Sequence, residues 1–598
     1  MLSPDHSFIT ALVSNQPESG MHRWLLVLTT ILFLVAQASG IDQGGRVLPG
    51  MIRQFEEDLG SVQRTYPLRM SGHHQERVRK FLLQWRQSLE ERPVGEFSRE
   101  DQIDYLLFMN YLDRSLREQE LEMARLAELA PVLPFAPRLI GLEEERRRMS
   151  QVNAELAAGV LDEVDREIQK MHEAVAGGMD EGDSETAAVR VSVVVANRAA
   201  MECLNLQIML EKWYGFYAGY DPVFTWWVEA PYKRVRRSLE AYSEFLRAEV
   251  VGVSADDKDA IVGDPIGREA LVSALRYEMI SYSPEELIRI AEQEYEWCET
   301  EMKKASRELG YGDNWLEAVE HVKTLHVKPG QQPELIRQLA VEAIQFLEER
   351  HLLTIPPLAK ETWRIQMMSA ERQKVSPFFT GGEVITVAFP LDSMQHEQKL
   401  MSLRGNNIHF SRATVQHELI PGHHLQQFMT RRYHEYRKLF WTPFWVEGWA
   451  LYWEMRLWDL GFPRSAEDKV GMLFWRMHRC ARIIFSFSFH LGKMTPQECV
   501  EMLVTKVGHE RDNATAEVRR SFGGSYPPLY QAAYMVGALQ FREMFEEYVG
   551  GRRIAEKDFH DRILEENMMP VEMVRLLLGT EPVPGRSMPE WRFYPGIE

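Results

Sequence analysis

Cysteine is scarce in this chain: four in 598 residues, Cys203, Cys298, Cys480 and Cys499, with no C-x-x-C pair among them. That scatter excludes a disulfide framework and a cysteine-built zinc site, and leaves buried apolar thiols as the ordinary reading. Positive charge is also short. Lys and Arg number 69 against 88 Asp and Glu, a formal net charge of −19. A nucleic-acid binder needs a basic face to displace counterions from phosphates, so this balance argues against one. Internal repeats and low-complexity tracts are absent. Beyond residue 36 no apolar run is expected to span a bilayer, which takes about 20 apolar residues. What is present is globular material, 45% hydrophobic and 26% charged, enough by length for roughly two to four structural units.

The one apolar run, residues 24–36 (WLLVLTTILFLVA), follows His22 and Arg23 and leads into Ala36-Gln37-Ala38. A positive flank, a short apolar core and small residues at −3 and −1 form an export signal with cleavage expected after Ala38. An uncleaved membrane anchor is the alternative. Met21 stands directly before the signal, so residues 1–20 read as an extension. Ser39 and not cysteine stands directly after the cleavage point, which argues against a lipoprotein. The mature chain is expected to be exported, periplasmic or extracellular, with no stable membrane span.

From about residue 46 apolar residues recur at three- and four-residue spacing, the helical period. Ser283-Pro284-Glu285-Glu286 combines an N-cap serine, a proline at the first helical position and a glutamate placed to bond back; the helix it opens is expected to stop at Gly310. Thr495-Pro496-Gln497-Glu498 repeats the device. Residues 177–183, rich in glycine and acid, read as an exposed loop, and the Pro- and Gly-rich tail after Thr580 as coil. Only residues 383–389 alternate as a strand, closed by Pro390. The predicted fold class is mainly α, with a small β element ahead of the segment that carries the chemistry.

That segment is Gln416-His417-Glu418-Leu419-Ile420-Pro421-Gly422-His423-His424-Leu425-Gln426. A zinc hydrolase needs two neutral imidazoles on one metal, a third ligand, an open position for water and a carboxylate beside that water. The usual local solution is H-E-x-x-H on one helix face, and here the residue four after His417 is Pro421. His424, seven positions on, returns to the face of His417 but about 10 Å along the axis. If Pro421-Gly422 forms a bulge inside the helix, His423 takes the place of the second ligand; His424 remains the alternate. A third ligand should come from the following apolar helix, where Glu447 and Glu454 are costly to bury unless paired or bound to metal.

His417-Glu418-x-x-Pro421-Gly422-His423-His424-x-Gln426, followed by Glu447-Gly448-Trp449-Ala450-x-Tyr452-x-Glu454, resembles a large, mostly bacterial family catalogued as a domain of unknown function and grouped with the gluzincin metallopeptidases. That class contains angiotensin-converting enzyme and thimet oligopeptidase. The resemblance implies Zn2+ at His417, His423 and Glu447, with Glu418 as general base, in a two-lobed helical gluzincin-like fold. It also covers an R-x-x-R…H pattern, here Arg476, Arg479, Arg482 and His490, with Ser486 where the family usually has an acid. Arg479 and Arg482 suit a peptide's terminal carboxylate; ion pairs to the surplus acids are the alternative. By analogy with gluzincins that stabilise an oxyanion through a tyrosine hydroxyl, Tyr534 is the candidate. Here Leu529 and Tyr530 replace the family's Gly and Gln.

The reading that follows is an exported zinc-dependent peptidase, with residues 1–40 as extension and signal, 41–260 as an N-terminal helical lobe and 261–598 as a zinc-bearing catalytic lobe continuous with it. Glu418, Tyr534 and His490 are the catalytic candidates and a peptide is the expected partner. The strand at 383–389 could align an extended substrate by backbone pairing. A zinc amidase acting on cell-wall or other amides, and a non-catalytic helical protein that keeps its metal for structure, are the alternatives.

Overall fold

The computed structural model describes residues 46–597 except 180–187, 255–256, 258–259, 374–377, 524–525 and 584–590. The apolar run at 24–36 and the cleavage point at Ala38 lie outside the described residues. So does most of the loop expected at 177–183, whose first residues end a helix. Among the described residues 72% are helical and 2% in strands, so the mainly α expectation holds.

The chain opens with α1 (Leu48–Thr65), α2 (Gly72–Glu90) and α3 (Arg99–Leu129). Then follow α4 (Ala136–Arg147), α5 (Ala154–Met179), α6 (Val193–Tyr217) and α7 (Pro222–Phe245), which close a core of their own around Leu161, Cys203, Trp213, Val235 and Tyr242. The core does not divide at residue 260. Phe55, Phe81 and Phe108 of α1–α3 pack in the same cluster as Trp449 and Phe541, so the first three helices belong with the C-terminal body and the separate unit is α4–α7. Helix α6 is long and apolar enough to cross a membrane by length and composition, contrary to the expectation that no later segment would be. It buries one face (Ala196, Cys203, Leu210, Trp213) within its unit and carries Arg198, Glu202, Glu211 and Lys212.

Helices α8 (Gly267–Tyr277), α9 (Pro284–Glu308), α10 (Trp315–Thr324), α11 (Gln332–Glu349) and α12 (Pro357–Thr362) lead to strand β1 (Arg364–Met367), α13 (Ala370–Gln373) and strand β2 (Val384–Val387). The two strands pair in parallel. The sequence shows β2 and not β1, whose four residues, Arg-Ile-Gln-Met, are too few to alternate visibly. Ser283 and Glu286 close the expected capping box at the start of α9, as Thr495 and Glu498 do before α19.

After α14 (His396–Gly405) come α15 (Ile408–Glu418), α16 (His423–Thr430), α17 (Pro443–Asp459), α18 (Ala466–His490), α19 (Pro496–Met502), α20 (Arg511–Phe522), α21 (Tyr530–Phe545), α22 (Glu556–Glu565) and α23 (Val571–Leu578). Helices α17 and α21 approach so closely that a Cβ on Gly448 would lie 2.6 Å from the Cα of Gly537. Ile385 and Val387 of β2 pack with Ile336 of α11 and Val415 of α15, fixing α15 from its outer side.

Buried histidines give this fold a defined acid limit. His560 donates from Nδ1 to the Leu352 carbonyl and accepts at Nε2 from the Tyr452 hydroxyl, both at 2.8 Å, and burial lowers its pKa to about 4. The unfolded chain takes up this proton near pH 6.5 and the folded one does not until about 4. Stability therefore falls as pH drops through that window, by about 1.4 kcal/mol per pH unit from this group. Urea unfolding at pH 7.5 and pH 5 should show the loss, with a shallower pH dependence in His560→Gln; equal slopes would refute the assignment.

Candidate metal centre

Helix α15 is capped by the Asn407 side chain, which accepts from the amides of His409 and Phe410, and it ends at Glu418. The chain then turns through Leu419, Ile420, a cis Pro421 and Gly422. The Gly422 amide donates back to the Gln416 carbonyl at 3.0 Å, and a Cβ at Gly422 would sit 1.8 Å from the His417 carbonyl oxygen, so only glycine fits. Helix α16 starts at His423. The expected bulge within one helix is instead a junction of two helices. It still brings together the two rings that the bulge would: those of His417 and His423 lie 4.8 Å apart, with their planes at 89°. His424 points elsewhere and donates from Nε2 to the Ala359 carbonyl at 2.7 Å. It takes no part in the cluster.

Glu447 is brought in by α17, whose start is fixed by the Thr442 cap and Pro443. Its Oε2 lies 3.4 Å from His417 Nε2 and 3.2 Å from His423 Nε2, and one donor atom from each of the three residues falls within 4.8 Å of the others. Each donor is held from behind. His417 Nδ1 donates to Glu454 Oε1 at 2.7 Å, His423 Nδ1 to Gln426 Oε1 at 3.1 Å, and the Tyr530 hydroxyl to Glu447 Oε1 at 2.5 Å. With both Nδ1 atoms donating, both Nε2 atoms face the centre, the arrangement that orients imidazoles toward a metal. Two neutral nitrogens and a carboxylate suit a divalent ion of the zinc type.

The electrostatics agree. Burial opposes charge on His423, but Glu447 and Glu418 outweigh it and lift its pKa to about 9. Burial would raise Glu447, yet the two histidines hold it well below the usual carboxylate range. The cluster thus demands positive charge at its centre.

Glu418, next to His417 in sequence, faces a cavity of about 280 Å³ that also takes in His417, His423 and Glu447. Burial raises its pKa against the pull of His423 and His417. Gly381 lies against it, where a Cβ would come within 2.3 Å of Glu418 Oε2, and the Gly382 amide donates to the Glu418 carbonyl at 3.2 Å. Strand β2 does not line this cavity. It is paired with β1, and its Thr386 is bridged to Thr380; the wall is made by residues 378–381.

The three arginines of α18 separate into different roles. Arg476 pairs with Glu294 at 2.8 Å beneath Trp297, a structural ion pair. Arg479 and Arg482 line the cavity, joined by Arg520 of α20, which nothing in the sequence singled out. Arg482 Nε and Arg520 Nη2 reach Glu517 at 2.7 and 2.5 Å. Burial would raise Glu517, but the two guanidiniums hold it at about 2. Arg479 is 5% exposed, and burial together with Arg482 lowers its pKa below the arginine norm. Tyr534 touches both groups: its ring is stacked 6.1 Å from that of His417, with the Arg479 and Arg482 guanidiniums 4.6 and 4.3 Å from its centroid.

His490 does not line the cavity. It ends α18 beside Phe489 and Phe522, with neither ring nitrogen hydrogen-bonded among the described residues and its pKa lowered to about 4 by burial. Eight residues of helix, about 12 Å, separate it from Arg482, so its expected catalytic place is not met. Tyr530 was missed as a partner of Glu447; the signal was its position four residues before Tyr534, one turn away on the same helix.

Fold and centre together define a mainly helical protein with a buried His-His-Glu donor cluster opening on a small charged cavity. The chain belongs to the family of bacterial proteins of unknown function (DUF885), whose model matches residues 57–578. No curated protein matches it significantly. Among solved structures it is similar to a candidate lipoprotein of unknown function from Shewanella oneidensis, with a TM-score of 0.64 and 17% identity over 89% of this chain and 100% of that one. It is also similar to a candidate lipoprotein from Colwellia psychrerythraea, with a TM-score of 0.55 and 14% identity over 89% and 98%. These likenesses show the fold.

Two outcomes test the centre. His423→Ala should lose stoichiometric metal after zinc loading and desalting, while His424→Ala keeps it; the reverse pattern would exclude the assigned donor set. Glu517→Gln leaves Arg482 and Arg520 buried without a counter-charge and should destabilise the fold by about 3–5 kcal/mol, read from chemical denaturation midpoints.

Proposed function

We propose that this protein is a zinc-dependent peptidase of the gluzincin type. The observation that carries the reading is the Glu418 carboxylate facing the same cavity as the donors of His417, His423 and Glu447. Those three residues would hold the ion. Zinc held there would supply Lewis-acid polarisation of a carbonyl and of water, whose pKa would fall from about 15.7 toward 7. Glu418 is placed to accept a proton and return it to a leaving amine, a double task that its pKa, raised by burial, suits. Tyr534 is kept neutral by burial, which pushes its pKa far above the ordinary value, so its hydroxyl remains a donor for the developing oxyanion.

Export is part of the reading. It is supported by the apolar run at 24–36 with its small residues before Ala38, and by the similarity to structures from candidate lipoproteins. This chain has no cysteine before Cys203, so cleavage after Ala38 or retention of the run as an anchor takes the place of lipidation.

Glu418→Gln decides the role of the base. The variant should keep zinc at the wild-type ratio and cleave peptides from a mixed library at least about 100-fold more slowly, followed by mass spectrometry. Equal metal content with undiminished cleavage would remove Glu418 from the chemistry.

A further inference from the structure

The cavity has a second half that the metal chemistry does not use. Its wall carries three guanidiniums, Arg479, Arg482 and Arg520, and the carboxylates paired with them among the described residues are Glu454 and Glu517. Glu517 is taken by Arg482, Arg520 and the Gln531 amide. Glu454 is taken by His417 Nδ1 at 2.7 Å and stands 3.7 Å from Arg479 Nη2. Arg479 makes no hydrogen bond to any described residue, yet it is 5% exposed and lines the cavity. A buried guanidinium without a full partner is costly, and one beside an open space is placed to receive an anion from outside. The Arg482 Nη1 atom is likewise buried without a hydrogen bond.

The distance to the metal half sets what the anion belongs to. The Tyr534 ring lies 6.1 Å from the His417 imidazole and its centroid 4.6 and 4.3 Å from the Arg479 and Arg482 guanidiniums, so imidazole and guanidiniums are no further apart than those two steps together. That separation is of the order of one or two residues at about 3.8 Å per Cα step. The cavity, about 280 Å³, is just below the lower end of ordinary ligand sites, a volume that suits the end of a peptide.

We propose that Arg479, flanked by Arg482 and Arg520, binds the α-carboxylate of a peptide's C-terminal residue, so that the enzyme removes one or two residues from the C terminus of short peptides. The inference rests on the hydrolase reading above. In the reaction water adds across the scissile amide: its hydroxyl goes to the acyl carbon and its proton, carried by Glu418, to the leaving nitrogen. The released amine product keeps the free carboxylate that the arginines hold.

The test compares three N-acylated peptides of one sequence on zinc-loaded protein: the free acid, its C-terminal amide, and an amide-capped peptide ending in glutamate. The free acid should be cleaved at least about 100-fold faster, in kcat/KM, than the plain amide. The capped glutamate peptide should behave like the amide. In Arg479→Gln and Arg479→Lys, checked for an unchanged thermal melt, the acid-to-amide ratio should fall by about tenfold or more, mostly through KM. Equal cleavage of acid and amide by the wild type would overturn the clamp and leave the hydrolase intact. Cleavage of the capped glutamate peptide as fast as the acid would assign the arginines to a side-chain carboxylate and overturn the proposal. If no peptide is cut, the hydrolase reading fails, and calorimetric binding of the acid and amide peptides to wild type and Arg479→Gln decides the clamp alone: it stands if only wild type prefers the acid, and falls if neither does.

Discussion

Gly448 and Gly537 meet backbone to backbone, where α17 crosses α21, and there is no room at either position for a methyl group. The rest of the centre is arranged about that contact. Glu447 is the residue before Gly448, Glu454 lies two turns further along the same helix, and Tyr530 and Tyr534 sit on α21 within two turns of Gly537. Close approach of the two backbones lets a tyrosine hydroxyl reach a glutamate carboxylate at 2.5 Å and sets the Tyr534 ring against His417. Cores resist such overpacking because neighbours can yield only by leaving their rotamer wells. The E-G-W-A and Y-x-x-G patterns are thus two sides of one helix crossing.

A second constraint is charge in a dry interior. Burying an ion is unfavourable unless its partners replace water, and here the carboxylates are shared economically. Glu454 orients His417 and stands near Arg479; Glu517 serves Arg482, Arg520 and Gln531. Glu447 faces two histidines and a tyrosine. Sharing leaves a demand for positive charge at the donor cluster and a surplus of it on the opposite wall. The peptide proposed as substrate, with a polarisable carbonyl and a terminal anion, would meet both.

Much of the centre was legible in the sequence because its donors are close together in it. His417, Glu418 and His423 fall within seven positions, and a glutamate on an otherwise apolar, aromatic helix stands out. Choosing His423 over His424 needed the backbone, since the sequence shows that Pro421 and Gly422 disturb the helix but not that they end it. Arg520 and Tyr530 were not legible: an arginine in a helix with two others, or a tyrosine beside a second tyrosine, has the composition of an ordinary surface or core. The packing of α1–α3 with the C-terminal helices was not legible for a similar reason. The periodicity of α1–α3 shows that they bury a face, and nothing local says against what. His490 was read from a pattern of spacing, while the length of α18 carries it past the cavity.

The supports of the donor cluster have a consequence for the order in which the molecule comes together. His417 is oriented by a residue 37 positions away and Glu447 by one 83 positions away. Contacts of that separation bear the full entropy of closing long loops and form late relative to local helices. A fragment ending before α21 would contain every proposed metal donor and still lack the hydroxyl that holds Glu447 in place. The centre is thus complete only once α21 is docked.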